Sequence, residues 1–480
     1  MAMIFALPVT ATAQQPLSAS DWLSGSVAAP PREASAWRPG APVPPGVKRP
    51  RERPQPVAES GAIGPVQVSR LGAGNPDASG TLSAHRAGLP LDLWRGSDAE
   101  TVARRLADTP ARLPAMNALL QRVLRAQLHP PDATPGTRPG QVFLARADRL
   151  LDIGALEPAE ALLLTAGPGN PDVFRRLFDI ALLQGDEARA CEIMGNTPGI
   201  APSFAARIFC LAQSGDWAAA AISLRGAETL GLVDQRQAVL LTHFLDDAFV
   251  DNGDLLEPAA RITPLEFRIH EAIGQPLPTQ PLPIAFAHSD MRPNAGWKAR
   301  LDAAERLARA GALPAPVLRA TYGEQSPAAS GGVWERAGAM RTLEAALATG
   351  DVSGALPRAF DEFRAADMAP VLAAMVAEDL PRNTAGPAAE ITAWLRQWQG
   401  LPVPAPIATD DALRADTPAA PGAQRGEALL DAMTDIDAGV DGDLARAARG
   451  LALLRTLGLP EDADLAASQL TLMPMMRPAP

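Results

Sequence analysis

Apolar residues along this chain fall at helical spacing, and from Gln141 to Gly231 the spacing itself repeats. Counting back from Gly154, Gly185 and Gly215, apolar side chains stand at positions −11, −7, −4 and −3: Phe143, Ala147, Leu150 and Leu151; Phe174, Phe178, Ala181 and Leu182; Phe204, Ile208, Leu211 and Ala212. Offsets of 4, 7 and 8 from each phenylalanine put the four on one helical face. The glycine is predicted to end that helix, because it tolerates left-handed dihedrals. Five residues on, Ala159, Ala190 and Ala220 fall in a second helix, where a small side chain lets backbones approach. Spacings of 31 and 30 residues between the glycines mark stacked units that cannot bury their apolar faces alone.

The turn segments LLQGDEARACEIM and LAQSGDWAAAAISL resemble the core of tetratricopeptide repeats, with Gly-Asp ahead of an alanine. The glycine usual inside the first helix of that repeat is missing, and the period is shorter than its ~34 residues. The signature echoes at Gly350 with Ala355 and at Gly458 with Ala463, and more weakly at Gly311, where Pro316 replaces the alanine. The expected fold is all-α: an irregular α-solenoid of tetratricopeptide-like helical hairpins behind a disordered, proline-rich N-terminal segment. Expected boundaries are a signal-peptide remnant at 1–13, a Pro/Ala-rich tether at 14–75 and an N-terminal helical unit at 76–130. The solenoid follows at 141–400, then a linker at 401–425 and a C-terminal helical hairpin at 426–475. Residues 274–293, with QPLPTQPLP, interrupt the pattern, and the departures after Gly274 are the first place to look for a partner.

Composition narrows the class of activity. The formal net charge of −11 argues against nonspecific nucleic-acid binding, which needs a basic footprint. Residues 14–60 run the other way: six basic residues (Arg32, Arg38, Lys48, Arg49, Arg51, Arg53) against four acidic (Asp21, Glu33, Glu52, Glu59) give +2. No stretch reaches the ~20 apolar residues of a membrane span. The apolar run Met3–Val9 followed by Ala11-Thr12-Ala13 reads as the rear of a secretory signal cleaved after Ala13, so a periplasmic location is expected.

Cys191 and Cys210 fall on consecutive helices. In an exported chain they are either a disulfide or two buried core thiols; a disulfide closing that loop contributes about 3 kcal/mol by chain entropy. Ser330, Gly331 and Gly332 precede a helix carrying Arg336, with Arg319 and Tyr322 close in sequence. Amides at a helix start can hold an anion, although Ser-Gly is also an ordinary way to begin one. Trp394 and Trp398 stand at i, i+4 and share a face, either as a packing stripe or as an anchor for a partner. The five histidines show no metal-ligand spacing; His288 with Asp290 is the nearest approach to an acid–base pair. No catalytic residue, cofactor or metal is expected.

The runs ARADRLLDIGALEPAEALL, RRLFDIALL, ARIFCLAQSGDW, TPLEFRIHEAIGQPLPT and SPAASGGVWER resemble a family of exported alphaproteobacterial proteins often labelled antifreeze glycopeptide polyprotein. The similarity spans about Val66 to the C-terminus; it implies export and carries no activity. Ice binding needs a regular threonine array, and no threonine repeats at a short fixed spacing. The expected function is therefore a non-catalytic periplasmic protein–protein interaction scaffold for cell-envelope assembly or maintenance. The partner is a protein or peptide, with peptidoglycan contact as a further option. The alternative is a murein-acting enzyme or peptidoglycan-binding module built on a helical superhelix.

Overall fold

The computed structural model describes residues 74–134, 138–246, 255–416, 418–419 and 421–478. The expected signal remnant, and all of the tether but its last two residues, lie outside them. Among the described residues the protein is all-α, with a single pair of parallel two-residue strands, Leu82–Ser83 beside Ala126–Gln127.

The N-terminal unit comprises α1 (Ala84–Ala87), α2 (Ala99–Asp108) and α3 (Pro114–Arg125). Asp98 caps α2 by accepting from the Thr101 amide at 2.9 Å. Three hairpins follow: α4 (Gln141–Asp152) with α5 (Leu156–Ala166), α6 (Pro171–Gln184) with α7 (Glu187–Asn196), and α8 (Phe204–Gln213) with α9 (Trp217–Thr229). Gly154, Gly185 and Gly215 sit at the turns with φ of 80°, 83° and 87°, a region where any Cβ is strained. Phe143 and Phe174 are buried and Phe204 is half-buried; Ala159, Ala190 and Ala220 are buried, as close helix approach requires.

Next come α10 (Gln235–Leu245), α11 (Pro264–Ala272) and the short α12 (Ala287–Asp290). Beyond them lie α13 (Trp297–Arg309), α14 (Ala315–Gly323), α15 (Val333–Thr349), α16 (Ala355–Ala365), α17 (Ala369–Val376) and α18 (Pro387–Trp398). The chain ends in α19 (Arg425–Ala438), α20 (Leu444–Thr456) and α21 (Pro460–Met476). These three helices stand where a single hairpin is expected, and they pack back on α2, α3 and α18.

Two helices are buried on opposite sides and weld the cores together. Val173, Ile180 and Leu183 of α6 join a core shared by the N-terminal unit and α19–α21, while Phe174, Phe178 and Leu182 face the core of α7–α11. Likewise Ala463, Ala466 and Leu470 of α21 belong to the first core, and Leu472 and Met476 to the core of α13–α18. Helices apolar on more than one side belong between layers.

Candidate functional site

The return of α19–α21 to the N-terminal unit is fastened by polar contacts far apart in sequence. The Arg112 guanidinium donates to Asp437 (Nε to Oδ2, 2.7 Å) and to Asp441 (Nη1 to Oδ1, 2.8 Å), and its amide donates to Asp437 Oδ1 at 2.8 Å. Hydrogen bonds to Asp441 and Asp437 hold the Arg112 pKa above its ordinary value, and Arg112 in turn depresses that of Asp441. Arg122 pairs with Asp462 and Arg105 with Asp431. Main-chain bonds complete the seam: Gly426 N to Leu93 O at 2.9 Å and Gln424 N to Arg95 O at 3.0 Å.

Closing the chain in this way leaves a cleft of about 910 Å³ where α3, α4, the α13–α14 turn, α17 and the end of α21 meet. Asn117 Nδ2 donates to Ala310 O at 2.9 Å and Gln121 Nε2 to Gly311 O at 3.0 Å, tying α3 to that turn. Six arginines line the cleft (Arg112, Arg122, Arg125, Arg149, Arg309 and Arg477) against two aspartates, Asp152 and Asp367. Apolar wall comes from Ile153, Ile284, Leu313 and Val371. In a chain of net charge −11, this is a local excess of cation. Part of it is structural: Arg122, Arg125, Arg149 and Arg309 lie in last helical turns, where cations complement the helix dipole.

Carboxylates hold four of the six. Arg112 has Asp437 and Asp441, Arg122 has Asp462, Arg149 has Asp152 (2.9 Å) and Arg309 reaches Glu305 at 3.3 Å. Among the described residues, Arg125 and Arg477 have no carboxylate within ion-pair distance; Arg477 donates to Val440 O at 3.0 Å. The Nε of Arg125 and of Arg149 are shielded and meet no acceptor there. The repeat pattern gave no hint of this cleft, because its arginines come from helices joined only by tertiary contact.

The Ser330–Gly332 site does not assemble. Ser330, Gly331 and Gly332 are exposed, the Gly331 amide donates to Glu335 Oε1 at 3.3 Å, and Arg336 turns inward. Its guanidinium grips buried Glu305 with two bonds, 2.8 and 2.6 Å, and Tyr322 Oη donates to the same carboxylate at 2.7 Å. Burial, then the Glu305 charge, raise the tyrosine pKa well above its ordinary value. Arg319 is taken up by Glu344 and Asp379. The tryptophan pair is a packing stripe: Trp398 is 1% exposed and Trp394 is half-buried against Phe360, rings 5.8 Å apart. Neither is an exposed anchor, because the shared face turns toward the α16–α18 core.

His288 and Asp290 do not pair with each other. His288 Nε2 donates to the Gly154 carbonyl at 2.7 Å, and Thr279 donates to Asp290. Ser289 Oγ donates to Leu183 O at 3.1 Å, and Arg292 stacks against Gly185. Residues 284–292, within the interruption of the repeat, are thus a strap over two hairpin turns. Cys191 and Cys210 are joined in a disulfide, Cα atoms 5.1 Å apart, beside a groove of about 670 Å³. Among the described residues no helix is long and apolar enough to cross a membrane, and no cluster of His, Cys, Asp and Glu could hold a metal. Compared with known proteins, the chain matches no family model, no curated protein and no solved structure.

Proposed function

We propose that this chain is a tetratricopeptide-like α-solenoid closed on itself, acting as a non-catalytic protein–protein interaction scaffold of the periplasm in cell-envelope assembly or maintenance. The observation that carries the reading is the arginine-lined cleft, concave and roomy enough to bury a ligand or a partner segment. Successive hairpins with glycine turns support the solenoid, and the Cys191–Cys210 disulfide suits an oxidising compartment. The proposed relationship to exported alphaproteobacterial proteins points the same way. In vivo crosslinking followed by purification from the periplasm tests it. A specific protein partner is expected; absence from the periplasm, or recovery of no specific protein, overturns it.

Peptidoglycan binding without turnover is the second reading. Guanidinium groups in the cleft suit the carboxylates of murein stem peptides. Pull-down with purified sacculi separates the two.

A further inference from the structure

We propose that the cleft between α3, α4, α17 and the end of α21 binds an extended acidic segment of a protein partner, read by Arg125 and Arg477. The inference rests on the scaffold reading and names the chemistry of its partner.

Charge selects the class of ligand. Four lining arginines are neutralised by carboxylates of the fold; Arg477 lies close enough to Asp441 to help depress its pKa but outside ion-pair distance, and Arg125 has no carboxylate within that distance among the described residues. Two such guanidinium groups call for two anionic groups, and a planar guanidinium fork matches a carboxylate best. Asp367, at φ 55°, is the remaining lining carboxylate outside any ion pair among the described residues, and it can accept from a ligand donor. Acceptor and cations in one wall fit a peptide, which brings amide N–H groups as well as acidic side chains; a bare phosphate brings none. The apolar wall suits the small side chains between the acids. The chain's own residues 14–60 carry +2 and are the wrong sign to occupy this wall.

Fluorescence anisotropy with a labelled Ala/Glu 12-mer and its Ala/Lys counterpart tests the assignment on the full chain. The acidic peptide is expected to bind, the basic one not, with affinity falling as salt rises. Arg125→Gln and Arg477→Gln should each weaken binding about tenfold, the worth of one charge-assisted hydrogen bond. Arg477 is exposed, so its variant should keep the parent far-UV spectrum and Tm and separates binding from folding. Equal binding of both peptides, indifference to both substitutions, or muropeptide binding through the same arginines without peptide binding would each overturn it. Should peptides fail while crosslinking finds a partner outside the cleft, the scaffold reading stands and this assignment falls. Peptide capture in the cleft with no partner recovered from the periplasm gives the reverse.

Discussion

At the scale of single residues, the firmest commitments are buried charges with complete sets of partners. Glu305 (α13) is 1% exposed and binds Tyr322 (α14) and Arg336 (α15), so one carboxylate staples three consecutive helices. Glu305→Gln leaves Arg336 buried without its counter-charge, and breaking a buried pair costs about 3–5 kcal/mol. Urea unfolding should show that loss, whereas Glu324→Gln, at an exposed pair with Arg300, should shift stability by less than ~1 kcal/mol. Histidines set a second residue-level expectation. Burial lowers the pKa of both His270 and His288 below the usual imidazole value of about 6.5. A folded pKa below the unfolded one means the unfolded chain takes up protons first. The stability these residues contribute is thus complete above about pH 6.5 and is lost as pH falls through their folded values. Asp290, raised by burial, acts in the opposite sense at lower pH. Unfolding midpoints should fall between pH 7.5 and 5.5, and His288→Gln, which keeps a donor for the Gly154 carbonyl, should flatten that slope; an unchanged slope in His288→Gln and His270→Gln together refutes the assignment.

At the scale of elements, what was legible in the sequence is what is local. Phenylalanine spacing, the glycine turn and the small residue of the second helix all act within one hairpin, and all three recur where α4–α9 form. The disulfide shows the limit of counting along helices. Starting α8 directly after a turn at Asn196–Ala201 places Cys210 nine residues in, against five for Cys191, an axial mismatch of about 6 Å. In the structure α7 ends at Asn196 and α8 starts at Phe204, capped by Ser203, so the offsets are 196 − 191 = 5 and 210 − 204 = 6. The two cysteines are nearly level. Reduction, or the Cys191→Ala/Cys210→Ala pair, should lower stability by roughly 3 kcal/mol, measured by denaturant unfolding with and without reductant. No change on reduction would mean that α7 and α8 are held by packing alone. The tryptophan stripe marks a different limit: i, i+4 spacing says that Trp394 and Trp398 share a face, and only the neighbouring α16 decides that this face points inward.

At the scale of the whole molecule, the decisive contacts are the ones no local pattern encodes. Arg112 meets Asp437 across 325 residues and Arg122 meets Asp462 across 340. Nothing in either helix's own amphipathicity names such a partner, and the C-terminal echo at Gly458 reads equally well as one more unit of an open stack. Closure and an open stack differ in how they fail. In an open stack each unit touches only its neighbours, so removing the last one shortens the array and leaves the rest folded. Here α19–α21 supply Leu429, Leu430, Met433, Ile436 and Leu451 to the core that also holds Leu93, Trp94, Val102 and Leu106 of the N-terminal unit. Truncation after Gln424 should therefore expose the opposite end of the chain. The expected outcome is dye binding to exposed apolar surface and loss of near-UV signal from Trp94, with helical content best kept in α7–α11, whose core draws nothing from α19–α21. Arg112→Ala should act more gently on the same seam: Asp437, 2% exposed, loses the guanidinium but keeps the bond from the residue-112 amide, at a cost of about 1.5–3 kcal/mol. If the truncated chain unfolds in one sharp transition and its amides between residues 99 and 125 exchange as slowly as in the full chain, then closure does not stabilise the N-terminal unit. The cleft would then lie between ends that are free to part, and Arg477 would have no fixed position opposite Arg125.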